Sequence, residues 1–104
     1  MRMIMKVSIP VEAGNAAVAN GSLGTTIQRI LADLKPEAVY FAEDNGQRTG
    51  YVFFDMQDSS QLPAVAEPWF LAFNAGITVR PAMTLDDLAK ASPAMQKAVE
   101  GYAK

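Results

Sequence analysis

The sequence predicts an α+β fold in which strands and helices follow the order β-α-β-β-α-β. A four-stranded antiparallel sheet carries its helices on one face, and three observations point there. First, VYFAE and RTGYVFFDM, within Val39–Met56, flank Asp44-Asn45-Gly46-Gln47. Asn-Gly between two β-branched and aromatic runs is the strongest short-range hairpin signal, because a type I′ turn needs positive φ at both central residues. Second, a strand-like run lies on each side of the hairpin, at residues 2–9 and 77–82. Third, the segments joining these strands to the hairpin carry helix caps and helical periodicity.

Residues 2–9, RMIMKVSI, alternate. Met3, Met5, Val7 and Ile9 project one way, and Ile4, Lys6 and Ser8 the other. Pro10 ends the pairing. Val11 to Pro36 reads as two helical pieces. Glu12–Asn20 is Ala-rich and closes at Gly21, a C-cap signal. Ser22 or Thr25 then caps a segment whose Leu23, Ile27, Ile30, Leu31 and Leu34 form one apolar stripe. Lys35-Pro36 stops it.

After the hairpin, Asp58-Ser59-Ser60 offers caps for a further helix, with Pro63 tolerable in its first turn. Pro68 breaks or kinks that helix after Glu67, and Trp69–Phe73 runs on to the stop signal Asn74-Ala75-Gly76. Ile77–Ala82 is the fourth strand, with Pro81 suited to a strand end or edge. Thr84 with Asp87 resembles a capping box opening a short helix, and Ser92-Pro93 caps and starts a last one bearing Met95, Val99 and Tyr102. The order is the ferredoxin-like split βαβ pattern with a helical extension at 84–104, and right-handed crossovers place strands 1 and 3 in the middle.

Composition bounds what such a domain does. At 104 residues the chain is one domain, 1–104, able to build a core without staples. Nine basic against eleven acidic residues give a net charge of −2 with no basic cluster, which argues against nucleic acid as a partner. Without cysteine or histidine, disulfides, thiol chemistry, the usual zinc ligands and the commonest general base are all missing. No metal or cofactor is therefore expected, and any catalysis would use carboxylates, Lys, Arg, Tyr or hydroxyls. No apolar run approaches the roughly 18 residues of a membrane-spanning helix, and MRMIMKVSIPV lacks the layout of a signal peptide, so a cytoplasmic protein is expected.

Sorting strand residues by parity separates two faces. Met3, Met5, Val7, Ile9, Val39, Phe41, Val52, Phe54, Ile77 and Val79 share an apolar face that belongs under the helices. Ile4, Lys6, Ser8, Tyr40, Ala42, Thr49, Tyr51, Phe53, Asp55, Thr78 and Arg80 share the other. That second face is too apolar for open water and too polar for an ordinary core, the composition of a surface that meets a partner or ligand. The turn also sets Glu43 opposite Arg48, an opposite-charge cross-strand pair.

With its βαββαβ order, mixed second face and C-terminal extension, the chain over residues 2–83 resembles the dimeric α+β barrel superfamily. The stretches KPEAVYFAEDNGQRTGYVFF and AEPWFLAFNAGITVRPAM are also similar to small bacterial proteins of that type. The resemblance implies a homodimer in which two ferredoxin-like subunits pack sheet on sheet, each keeping a small pocket between its sheet and helices. Enzymes of the superfamily include muconolactone isomerases, small monooxygenases and haem-dependent enzymes. Many use a histidine that this chain lacks, so their mechanisms do not carry over.

Candidate binding residues are Lys6, Tyr40, Tyr51 and Arg80 on the mixed face, with Trp69. Arg80 or Lys6 suits a carboxylate or phenolate, with the tyrosines flanking an apolar body. The plainer reading is a wet dimer interface, where Tyr and Arg are enriched. Arg80 and Asp55 could equally pair with each other, and a tyrosine beside a cation could serve as proton donor, since positive charge lowers its pKa. Trp69, Phe70 and Phe73 fit a core stripe, and Trp69 after Pro68 alternatively lines a pocket mouth. Glu43, Asp44, Asp86 and Asp87 read as turn and cap residues. Arg48 to Phe54 partly echoes the aromatic strand of RNA-recognition domains, but strand 1 lacks the matching aromatic. Function therefore divides into two classes. One is a homodimeric small-molecule-binding or interaction protein, the other a cofactor-free enzyme on a small aromatic or carboxylic compound, with RNA binding a remote third.

Overall fold

Asn45 and Gly46 both take positive φ, 53° and 76°, so the turn that organises the chain is of type I′. It sets Asp44 opposite Gln47, Glu43 opposite Arg48, Ala42 opposite Thr49 and Tyr40 opposite Tyr51, the register the hairpin pattern requires. The computed structural model describes residues 1–104. Its elements are β1 (Arg2–Ile9), α1 (Val11–Ala19), α2 (Leu23–Leu34), β2 (Ala38–Asp44), β3 (Gln47–Asp55), α3 (Leu62–Phe73), β4 (Gly76–Pro81), α4 (Leu85–Lys90) and α5 (Ser92–Tyr102).

The strands lie in the order β2-β3-β1-β4, every neighbouring pair antiparallel. β1 and β2 are thus parallel but separated by β3, and β3 and β4 are separated by β1. This is the split topology of a ferredoxin-like fold. Helices α1, α2 and α3 cover one face. Met5, Val7, Val52 and Phe54 on that face are almost wholly buried, against Trp69 and Phe73 of α3 and Ile30 of α2. Phe41 has the predicted parity but remains 57% exposed, because no helix reaches over the β2 edge at its level.

Helix ends follow local chemistry. Gly21, at φ 77°, closes α1 in a Schellman arrangement, its N–H donating to Val18 O and that of Ser22 to Ala17 O. Ser22 occupies the N-cap of α2, but its side chain makes no capping bond. A 3-10 turn at Ser59–Gln61 leads into α3, and Asp58 and Gln61 cap it reciprocally. Pro68 does not break α3, which is continuous to Phe73. The carbonyl of Ala64 loses its usual donor there. Val65, Trp69 and Phe73, one turn apart and all buried, clamp both halves of the helix to the sheet and override the local cost.

Thr84 and Asp87 form the expected capping box at α4. Ser92, expected to cap α5, lies inside it instead, and Ala91 holds the cap position. α4 and α5 pack mainly on each other and project from the body. The radius of gyration is 17.4 Å and the longest dimension 58 Å, where about 13 Å is usual for a compact chain of this length. The extension therefore does not wrap its own helices. No helix is long and apolar enough to cross a membrane.

Candidate functional site

Two regions collect the polar and aromatic side chains that the sorted faces single out. On the mixed face, Lys6, Tyr40 and Tyr51 lie in one row across β1, β2 and β3, with Thr78 beyond Lys6 on β4. Asp44, at the end of β2, joins two of them. It accepts a hydrogen bond from the Tyr51 hydroxyl at 2.6 Å and pairs with the Lys6 ammonium at 2.9 Å. The Tyr51 hydroxyl, and then Lys6, hold the Asp44 carboxyl below the usual carboxylate range. The same contact with Asp44 raises both Lys6 and Tyr51.

Tyr51 is consequently a poorer proton donor than a free tyrosine, the reverse of what a catalytic phenol beside a cation requires. Arg80 and Asp55 do not pair. Asp55 instead takes the N-terminal ammonium at 2.8 Å. Arg80 stands exposed one row along, opposite Ile4, and Tyr40 is 66% exposed. No helix covers this face.

The second region is a cavity of about 810 Å³ on the helix face, between α1 and α2 and the hairpin end of the sheet. Val7, Ile9 and Gly50 form its floor, Ile27 and Leu31 of α2 one wall, and Trp69 its inner end. A Cβ at Gly50 would come within 3.2 Å of the exposed Phe41 ring, a tight contact that a small shift of that ring relieves. The indole N–H of Trp69 is buried without an acceptor, an unmet bond worth on the order of 1–3 kcal/mol. The Trp69 and Phe73 rings lie 6.3 Å apart, so Trp69 belongs at once to the core stripe and to the cavity.

Arg48 and Asn15 stand among the polar residues of the cavity, the guanidinium Nη1 donating to Asn15 Oδ1 at 3.1 Å. Although Glu43 faces Arg48 in the ladder, the two form no ion pair. The Glu43 carboxylate instead accepts from the Gly46 N–H at 3.1 Å, closing the turn on itself. Arg48 and Glu43 are the only ionisable side chains among the cavity residues. A second groove of about 700 Å³ between α2 and α3 has Arg29, Asp33 and Asp55 among its residues. No three acidic side chains converge anywhere.

The expected site residues are thus divided. Lys6, Tyr40, Tyr51 and Arg80 share the uncovered sheet face, while Trp69 alone lines the cavity. The sequence marks Asp44 only as a turn residue and Arg48 only as the cross-strand partner of Glu43, and it carries no signal for Asn15. One signal for the cavity was present: Gly14, inside an otherwise Ala-rich helix, marks a close approach. A Cβ there would sit 2.6 Å from Arg48 Nη1.

No family model and no curated protein matches the sequence. Among solved structures, the fold is similar to part of a formyltetrahydrofolate deformylase from Pseudomonas putida KT2440. The TM-score is 0.50 at 15% identity, over 79% of this chain and 29% of that one. The likeness supports the ferredoxin-like fold, and the chain spans under a third of that protein's length.

Proposed function

We propose that the protein is a homodimeric small-molecule-binding protein of the dimeric α+β barrel kind. Two copies pack their mixed sheet faces together, and each holds a ligand between sheet and helices. The cavity beneath α1 and α2 carries the binding part. Its size falls within the range of ligand pockets, and its interior is apolar with a few polar groups. Binding is favoured over turnover because the cavity contains no acid–base pair: Glu43 is tied to the turn, and the lysines and tyrosines lie elsewhere.

Surface area supports the second copy. The chain exposes 7210 Å² of solvent-accessible surface at a mass of 11.2 kDa, whereas a compact monomer of that mass exposes about 5,700 Å². Burying an excess of about 1,500 Å² on each of two subunits gives an interface in the range of obligate homodimers. Ile4, Phe53, Tyr40 and Tyr51 supply an apolar and aromatic centre, and the α4–α5 arm adds a reach beyond the sheet. The deformylase's own reaction gives no guide here, since most of that protein has no counterpart in this chain.

Native mass spectrometry of the protein as purified tests both parts. The expected species is a dimer, twice 11.2 kDa, carrying a small added mass. Phe53→Glu, which puts a charge at the centre of the mixed face, should give a folded monomer. A bare monomer at micromolar concentration from the unaltered chain would overturn the dimer.

A further inference from the structure

We infer that the cavity is built for an amphipathic monoanion, a small aromatic or branched aliphatic carboxylic acid. Arg48 is its clamp, and Gly14 and Asn15 position that clamp. The inference rests on the binding reading above and names the ligand class. Arg48 is the only cation at the cavity and has no carboxylate within ion-pair distance. The acid facing it in the ladder, Glu43, is held by the turn instead. A guanidinium offers five N–H donors in a planar fork, which matches the two oxygens of a carboxylate. One donor is used on Asn15, leaving the others for a ligand.

The choice of holder matters chemically. Asn15 fixes the guanidinium through a neutral oxygen, so the positive charge remains available. An aspartate there would fix it equally well and neutralise it. Gly14 makes the arrangement possible, since any side chain would place its Cβ 2.6 Å from Nη1 and 3.3 Å from Cδ of Arg48. A glycine inside a helix is unfavourable on its own, and here it gives the guanidinium room against α1.

The rest of the cavity sets the body of the ligand. Leu23, Ile27 and Leu31 of α2 and the exposed Phe41 ring present hydrocarbon and an aromatic face, over the buried Val7, Ile9 and Trp69. A bare inorganic anion would leave that surface unfilled, and a neutral hydrocarbon would make no use of the Arg48 guanidinium, which is exposed beside it. An acid group on an apolar body satisfies both.

The test titrates 4-phenylbutyrate and its neutral amide into the full-length protein. Binding is followed by calorimetry and by the emission of Trp69, the single tryptophan, which lies in the cavity. The acid should bind about tenfold or more tightly than the amide, the worth of a hydrogen-bonded charge. Arg48→Gln should abolish that preference, weakening the acid about tenfold or more relative to the amide. Gly14→Ala should also reduce the preference, by displacing the guanidinium, with its Cβ 3.3 Å from Ile9 Cγ2 and its fold checked by circular dichroism. That second variant decides the matter if Arg48→Gln fails to fold. Equal binding of acid and amide by the unaltered protein would overturn the clamp and leave the cavity as a binding site. A preference that survives both substitutions would also overturn it. Binding of neither compound would overturn the cavity reading and the clamp together.

Discussion

Asp44 shows how one residue governs the mixed face, and why that face was only half legible. Parity placed Lys6 and Tyr51 side by side, but the acid joining them lies at the strand end, where a turn role is the usual reading. The consequence is a pH dependence with a defined sign. A carboxyl held low in the fold stabilises above its unfolded pKa and loses that stabilisation as pH falls through its folded one. Asp44 behaves so, as do Glu37 beside Arg2 and the capping carboxylates Asp58 and Asp87. Lys6 and Tyr51 are raised by Asp44, so their contribution is present at neutral pH and is lost as pH rises above about 10. Thermal unfolding should therefore show a plateau through neutrality that falls below about pH 4 and above about pH 10. Asp44→Asn should lower the plateau and shallow both slopes. Unchanged slopes would mean that the Lys6–Asp44–Tyr51 cluster does not persist in solution. The Glu43–Arg48 pair teaches the same lesson from the other side. Register alone put them opposite each other, but each side chain found a nearer local partner, Gly46 N–H for one and Asn15 for the other.

At the scale of elements, the sequence was legible wherever a local signal and the hydrophobic period agreed. The Asn45-Gly46 turn, the Gly21 helix end and the Thr84–Asp87 box are short-range chemistry, and all stand where their residues put them. α3 departs from expectation because Pro68 is a local signal opposed by a longer-range one. Val65, Trp69 and Phe73 bury on one stripe, and their packing outweighs a missing hydrogen bond. That conflict predicts Pro68→Ala to be stabilising. It returns an N–H that can donate to Ala64 O and relieves the ring clash, at the loss of part of a half-buried ring. The urea midpoint should rise by an amount equivalent to about 1–2 kcal/mol at unchanged slope. A fall in the midpoint would show that the proline ring matters more to the α2–α3 groove than the bond it removes. The cavity was less legible than the helices because its residues come from six elements whose approach no sequence period encodes. Only Gly14 carried a trace of it.

At the scale of the whole molecule, the α4–α5 arm is the feature that a single copy does not account for. Helices of 6 and 11 residues are joined through Ala91. In water, isolated helices shorter than about 12–15 residues are marginal, and most helices draw their stability from burying an apolar stripe. The arm has such a stripe: Leu88, Met95, Val99 and Tyr102 follow one another at helical spacing, and all are exposed. Its own body offers no surface to cover them. If the second copy does, helicity of the arm and association of the subunits are linked, and dilution should reveal the link. Circular dichroism at 222 nm, followed through the dimer–monomer transition seen by sedimentation, should lose helical signal in step with dissociation. A chain ending at Met83 should keep its sheet and its first three helices, bind its second copy more weakly, and show no loss of helicity on dilution. Constant helicity of the full chain across dissociation would mean the arm is held within one subunit, and the added reach attributed to it in the dimer would have to be given up.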